Sequence, residues 1–237
     1  MSFILYSYPD CASHVVRMAL EELGAPYRDA IVDMRQDAQH SPEFRRLNPR
    51  GLVPVLADEA AGVTLSETGA ILHYLADWSG RLAPPPSDPP ARAAFLQMLY
   101  FLSNTLHADA QVQYYTDRFV GPDLAEGARP AIHARIRVHY AMLNGAIGAH
   151  GGRPWLLGPD LSVCDFYLGG CVRWTLFAPR HDPLPAEAVT GQPHLNALLE
   201  RLEALPSVIR AFDAEDTPRS AYFRAPIRSR HTQDAPG

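Results

Sequence analysis

Gly51-Leu52-Val53-Pro54-Val55-Leu56, followed after a short polar gap by Leu65-Ser66-Glu67-Thr68-Gly69-Ala70-Ile71-Leu72, decides how the first half of this chain folds. A proline between two β-branched valines cannot donate to a sheet ladder, so Pro54 belongs on an edge strand or at a turn where its missing N–H is harmless. A cis peptide is common in such a place. In the second segment Thr68, Ile71, Leu72 and Leu75 share one helix face, and Ser66, Glu67 and Thr68 supply capping chemistry ahead of it. A Val-Pro strand, a turn and a helix N-terminus carrying an acid and a hydroxyl make a small polar pocket suited to a peptide backbone and a carboxylate.

Working outward, Phe3 to Tyr8 is a β-rich run, Pro9-Asp10-Cys11-Ala12-Ser13 a polar loop, and Val16, Ala19, Leu20 and Leu23 one apolar helix face that Gly24 ends. The first half alternates: strand 3–8, helix 13–24, strand 27–33, short helix 41–47, strands 53–57 and 62–65, helix 67–79. That pattern suits a small α/β layer with a mixed sheet. A proline-rich gap from Leu82 to Pro90 leads into helices expected at 90–119, 124–150, 162–177, 192–205 and 206–213. Ser162 and Asp165 have the spacing of a capping box, with Leu161 and Phe166 placed as its hydrophobic staple. The fold class is therefore α/β plus all-α, with domain 1–80, linker 81–91, helical-bundle domain 92–215 and a tail 216–237 carrying Arg219, Arg224, Arg228 and Arg230.

The 237 residues, 47% of them hydrophobic, suffice for a sizeable core. No apolar run approaches the roughly 20 residues of a membrane span and the N-terminus lacks signal-peptide order, so the expected compartment is the cytoplasm, with no membrane partner. A net charge of −5 argues against a nucleic-acid partner, and Arg129, Arg135 and Arg137 read as a solvated helix face. The sequence holds no lysine, which excludes Schiff-base chemistry on lysine and a phosphate-loop lysine. Cys11, Cys164 and Cys171 form no C-x-x-C pair and read as reduced thiols. Cys164 and Cys171 lie about 10.5 Å apart along one helix and cannot bridge. The ten histidines show no ligand spacing, so no metal site is expected.

At the Val-Pro strand and the Glu67-Thr68 helix entrance the sequence resembles the glutathione transferase family. Pro42-Glu43-Phe44, Leu47-Asn48-Pro49 and the Val-Pro strand together resemble that family's P-x-F…N-P-x-G-x-V-P run, and the Ser162/Asp165 capping box has a counterpart in its helical domain. The resemblance covers roughly residues 1 to 215. It implies a thioredoxin-like N-terminal domain with a C-terminal helical bundle, a homodimer, a role in detoxification, and glutathione as co-substrate for conjugation to a small apolar electrophile. Val53 and Pro54 would then present backbone to the cysteinyl amide, while Glu67 and Thr68 hold the γ-glutamyl amine and carboxylate. Alternatives within the resemblance are a glutathione-dependent thiol-disulfide reductase or peroxidase using Cys11, and a binding protein that keeps the fold without turnover.

Activating a thiol from a pKa of about 8.5 to about 6.5 takes roughly 2.7 kcal/mol, which one donor to the sulfur plus a helix N-terminus can supply. Four residues, Cys11, Ser13, Tyr6 and Asp10, compete for that work; within the resemblance Asp10 falls where several serine and cysteine classes keep their catalytic residue, although an ionised carboxylate there would oppose a thiolate. Cys11 precedes a helix, where thiol pKa falls; its loop resembles the Pro-Gly-Ala-Cys-Ser loop of beta-class bacterial enzymes, with the cysteine one position early. Ser13 is a hydroxyl donor or simply a helix cap. Tyr6 stands from Arg17 at the spacing of the catalytic tyrosine of the alpha and pi classes. His107 ends a stretch resembling one whose histidine faces the beta-class active site, although Thr105 and Ala108 replace the glutathione contacts found there. Tyr114, Tyr115, Trp174 and Phe177 are the expected walls of an electrophile pocket.

Overall fold

The structure, a computed structural model, describes residues 3–149, 151–177, 183–217 and 222–224. They fall into two compact units, one drawn from 3–81 and 205–217, the other from 82–204 and 222–224. In the first unit β1 (Phe3–Ser7), β2 (Tyr27–Ile31), β3 (Val55–Asp58) and β4 (Val63–Ser66) form one sheet in the order β2-β1-β3-β4. β1 and β2 are parallel, which requires a crossover, and helix α1 (Ser13–Leu23) supplies it. β3 runs antiparallel to β1 and β4, with Leu5 opposite Leu56 and Tyr6 opposite Val55. This is the thioredoxin-like arrangement. β3 begins one residue after Pro54, not at 53, and the Val53–Pro54 peptide is cis, so the proline costs the ladder no donor.

Helix α1 stops at Gly24, whose φ of +63° and N–H bond to the Glu21 carbonyl form the expected left-handed cap. Its burial exceeds one face: every residue from Ser13 to Leu20 is buried. The cause is that α1 packs against β1, α3 (Thr68–Ser79) and also α11 (Pro206–Ala214). The sequence pattern carries 92–215 as one helical body, whereas the contacts group 205–217 with the sheet. The short α2 (Pro42–Leu47) is capped by Ser41, whose Oγ accepts from the Phe44 amide at 3.2 Å.

In the second unit the helix expected at 90–119 is broken into α4 (Pro89–Phe101), a π-helical turn at Leu102–Leu106, α5 (His107–Tyr114) and α6 (Thr116–Val120). The π turn widens the coil just before His107, and Tyr115, at φ −113° and ψ 36°, leaves the helical region. α7 (Pro122–Ala149), α8 (Val163–Thr175), α9 (Glu187–Thr190) and α10 (Pro193–Glu203) complete it. α8 is the core: Cys164 and Cys171 are fully buried, and a Cβ at Gly169 would come within 2.7 Å of Leu202 on α10. Tyr222 and Phe223 are buried here too, with Arg173 donating to the Tyr222 carbonyl at 2.8 Å. The other tail arginines, Arg219, Arg228 and Arg230, lie outside the described residues.

The capping box forms as the spacing predicts. The Asp165 carboxylate accepts from the Ser162 amide (2.8 Å), the Ser162 hydroxyl (2.9 Å) and the Leu156 amide (2.8 Å), so it ties the preceding loop to α8. Burial raises the Asp165 pKa to about 6 against these bonds. A raised carboxyl contributes stability that is complete below the unfolded value near 3.8 and lost as pH rises through about 6.

Ser162→Ala should cost about 0.5–2 kcal/mol. Asp165→Ala should cost about 1–3 kcal/mol for each buried donor it strands, and Asp165→Asn should flatten the stability profile between pH 4 and 6. Urea unfolding of the three variants at pH 4, 6 and 8 reads all three effects.

Candidate functional site

The loop ahead of β3 is built on Asn48. Its buried side chain donates to the Leu52 carbonyl (2.7 Å) and accepts from the Arg50 amide (3.1 Å), closing an Asx turn around Pro49 and Arg50. Gly51 follows at φ +66°, where a Cβ would sit 2.9 Å from the Gln39 carbonyl oxygen, so only glycine fits. The turn delivers Val53 into a cluster with Tyr8, Val32, Phe44 and Val55, and Tyr6 and Cys11 pack against that same cluster. Three of the expected site residues thus meet: Val53, Tyr6 and Cys11. Among the described residues neither the amide nor the carbonyl of Val53 has a protein partner.

The entrance of α3 departs from the expected cap. Glu67 takes the N-cap position at φ 71° and ψ 114°, a conformation costly for a non-glycine residue, and no side chain caps the helix. Its carboxylate turns outward to pair with Arg50, both groups being largely exposed. Thr68 is buried at the first helical position. The first-turn amides of α3 therefore keep their positive potential uncapped by any side chain.

At the start of α1 the N-cap is Ala12, again without a side-chain cap. Ser13 is the first helical residue, not the cap. Its fully buried hydroxyl donates to the Tyr8 carbonyl (3.0 Å) and accepts from the Tyr8 amide (3.2 Å), so its proton is committed inside the loop. Tyr6 meets Phe44 edge to face at 6.1 Å between centroids. Cys11 is half-buried, and its thiol is not depressed as a helix entrance suggests: burial, then Glu215 and Asp10, push it up to about 12. Asp10 itself sits at φ +60°.

Beneath this loop lies a buried ionic network that sequence reading missed. Arg17, 2% exposed, donates to Glu215 Oε1 (3.2 Å), Asp29 Oδ2 (2.7 Å), Ser7 Oγ (3.2 Å) and Tyr27 OH (3.3 Å). Glu215 Oε2 accepts from the Asp10 amide at 2.9 Å and lies 3.0 Å from His14 Nδ1, an ionic contact without hydrogen-bond alignment. Burial opposes ionisation of Glu215, but His14 and Arg17 outweigh it and hold its pKa below the ordinary 4.5. The polar residues Ser13, His14 and Arg17, set among the apolar residues of the first two turns of α1, signalled this in the sequence.

His107 belongs to the second unit. Its Nδ1 is 2.9 Å from the Tyr167 hydroxyl, its ring stacks on Trp174 at 4.5 Å, and burial lowers its pKa to about 4, so it is neutral at pH 7. Tyr114 stacks on Phe177 at 5.9 Å and meets Tyr115 at 4.6 Å, so the four expected aromatic residues form two nests, one of them on His107.

Arg17→Ala should cost about 3–5 kcal/mol, because it leaves Glu215 and Asp29 without their cation. The lowered Glu215 carboxyl contributes stability present above pH 4.5 and lost on acidification below it. Denaturant midpoints should therefore fall steeply below pH 4.5 in the parent and less so in the variant.

The comparisons agree with this geometry. Residues 1–77 match the family model of the glutathione S-transferase N-terminal domain. The chain is 35% identical over 114 residues to glutathione S-transferase D7 of Drosophila melanogaster, a match covering 47% of this chain and half of that protein's length. It is 27% identical over 214 residues to the disulfide-bond oxidoreductase YfcG of Escherichia coli (strain K12), covering 82% of this chain and 95% of that one. The structure of a glutathione transferase from Burkholderia graminis, with two glutathione molecules bound per one protein subunit, superposes with a TM-score of 0.76 at 26% identity, covering 90% of this chain and 88% of its own. With this sheet and these relatives, residues 1–77 carry a glutathione S-transferase N-terminal domain, and the chain beyond them is similar to glutathione transferases in fold.

Proposed function

We propose that this protein is a glutathione transferase that joins the glutathione sulfur to a small apolar electrophile. The observation that carries the reading is the meeting of Cys11 with Val53 in one cluster beside the uncapped start of α1. Val53, its backbone unpartnered among the described residues, pairs with the cysteinyl unit of glutathione, with Pro54 following it just ahead of β3. Glu67 and Thr68, at a helix start that no side chain caps, take the γ-glutamyl amine and carboxylate. The glutathione sulfur then lies toward α1. In the reaction a sulfur–carbon bond forms and the displaced electron pair leaves with the leaving group, the thiol proton having gone to solvent.

The raised Cys11 pKa bears on the choice among activating residues. A thiol held protonated at neutral pH donates to a neighbouring thiolate, so in this reading Cys11 serves as S–H donor. Ser13, whose proton is taken by Tyr8, and Tyr6, edge-on to Phe44, are less suited. His107, neutral against Trp174, is left without a part in activating the sulfur. A second reading, thiol-disulfide reduction through Cys11, is favoured by the likeness to the disulfide-bond oxidoreductase. The protein works in the cytoplasm as a homodimer that buries an apolar patch.

Calorimetry should detect glutathione binding at or below millimolar concentration, and Glu67→Ala should weaken it about ten-fold to a hundred-fold, the loss of one charge-assisted hydrogen bond. No binding, or binding indifferent to Glu67, removes the reading. Under a conjugation assay Cys11→Ala should lower kcat while Ser13→Ala spares it; loss of hydroxyethyl-disulfide reduction in Cys11→Ala, in a protein that does not conjugate, assigns the reductase instead. Sedimentation at micromolar concentration should give twice the 26.1 kDa of one chain; a monomer mass overturns the dimer.

A further inference from the structure

The segment after α11 reaches the Cys11 loop, and this contact has a functional consequence. Within the loop, the Cys11 amide donates to the Tyr8 carbonyl (3.2 Å), the His14 amide to the Cys11 carbonyl (2.9 Å), and Ser13 exchanges two bonds with Tyr8. Those anchors lie within the loop and the first turn of α1. The Asp10 amide, bonded to Glu215, ties the loop backbone to the segment after α11. Asp10 needs such a hold, because the left-handed region costs an L-residue roughly 1–2 kcal/mol.

Glu215 is itself held firmly. α11 is docked on α1 by Ser207 donating to Glu22 (2.6 Å), by Arg210 donating to the Glu21 carboxylate (2.7 Å) and carbonyl (2.9 Å), and by Phe212 against the His14 ring at 4.1 Å. The Glu215 and Thr217 amides both return to the Phe212 carbonyl, which ends the helix and aims the carboxylate inward. With its side chain 1% exposed, Glu215 is fixed on three partners at once.

We propose that Glu215 is the positioning residue of the Cys11 loop: by holding the Asp10 amide it fixes the left-handed turn that sets Cys11 at the entrance of α1. The proposal rests on the transferase reading, in which Cys11 serves the glutathione sulfur. The charged and titratable groups around Cys11 are Asp10 in its own loop, Glu215 after α11, and Tyr6 and Tyr8 in the shared cluster, with His14 and Arg17 of α1 behind Glu215. Glu215 thereby has two separable effects, one of geometry through the Asp10 amide and one of charge on the thiol. Glutamine at 215 keeps one acceptor oxygen for the Asp10 amide, while it removes the charge and replaces the oxygen that accepts from Arg17 with an NH2.

The test is the pH–rate profile of Cys11 alkylation by iodoacetamide, read by mass spectrometry on the folded full-length chain, with the buried Cys164 and Cys171 as internal references. Glu215→Gln should move the Cys11 profile to lower pH, with at least a ten-fold faster reaction at pH 8, while glutathione affinity stays within three-fold. Glu215→Ala should also lower the conjugation kcat at least ten-fold with KM little changed. Asp10→Gly added to Glu215→Ala should recover most of that kcat without recovering thermal stability, since glycine adopts the turn unaided. If Glu215→Ala does not fold, Arg210→Ala with Ser207→Ala, which loosens α11 without stranding a buried charge, should speed Cys11 alkylation in its place. A parental alkylation profile in Glu215→Gln or in the loosened variant, or no recovery by Asp10→Gly, overturns the proposal. Failure of glutathione binding in the parent chain sinks the transferase reading separately, and the alkylation profile still reports on Glu215.

Discussion

A guanidinium that is 2% exposed has to be neutralised where it stands, and Arg17 is neutralised by three different parts of the chain. Ser7 belongs to β1, Asp29 and Tyr27 to β2, and Glu215 to the segment that follows α11. The parallel pair β1/β2 is thus joined not only by its ladder but by a cation lodged in the crossover helix between them. The same cation recruits the chain's distant end. Removing water from such a group costs several kcal/mol, which its partners offset only when all of them are in place. The sheet and α11 therefore share one buried charge network.

This explains what could and could not be read from the sequence. The strand and helix pattern of residues 3–79 is local: β-rich runs, an apolar helix face ended by Gly24, a Val-Pro strand and a helix behind it are each written in consecutive residues, and each formed within one or two positions. The Ser162/Asp165 box is equally local. The grouping of α11 with the sheet is not, because its signal is a pair of polar side chains, Arg17 and Glu215, separated by nearly the whole chain. Seen one at a time they look like surface residues. The break of the long helix at Leu102–Leu106 was likewise hidden, since a π turn needs no glycine or proline to mark it.

The candidate site was legible in membership more than in chemistry. Val53, Tyr6 and Cys11 do meet, and Asn48, present in the quoted run without a role, turns out to shape the loop that brings Val53 there. Glu67 and Thr68 carry two readings in the sequence, capping chemistry for α3 and, by the resemblance, a hold on the γ-glutamyl group. In the fold the backbone at Glu67 is turned to a strained positive φ and its carboxylate faces Arg50, leaving the helix start uncapped. Of the three helices interleaved with the strands, α2 is capped by Ser41, while α1 and α3 are not. A helix start without its own acceptor is ready for one supplied by a bound peptide.

The chemistry at Cys11 follows from the balance between the two fields that act on it. A helix N-terminus favours a thiolate by about 0.3–1 kcal/mol, a modest effect for a group in the first turn. Against it stand burial and two carboxylates, Glu215 and Asp10, and together they prevail. The Arg17 charge that would reverse this is already engaged by Glu215 and Asp29, so the cation that stabilises the fold is not available to the sulfur. A loop held in this way keeps its own thiol neutral while packing it against the cluster that contains Val53, and the carboxylate after α11, far from β3 in sequence, is part of what sets that thiol's charge.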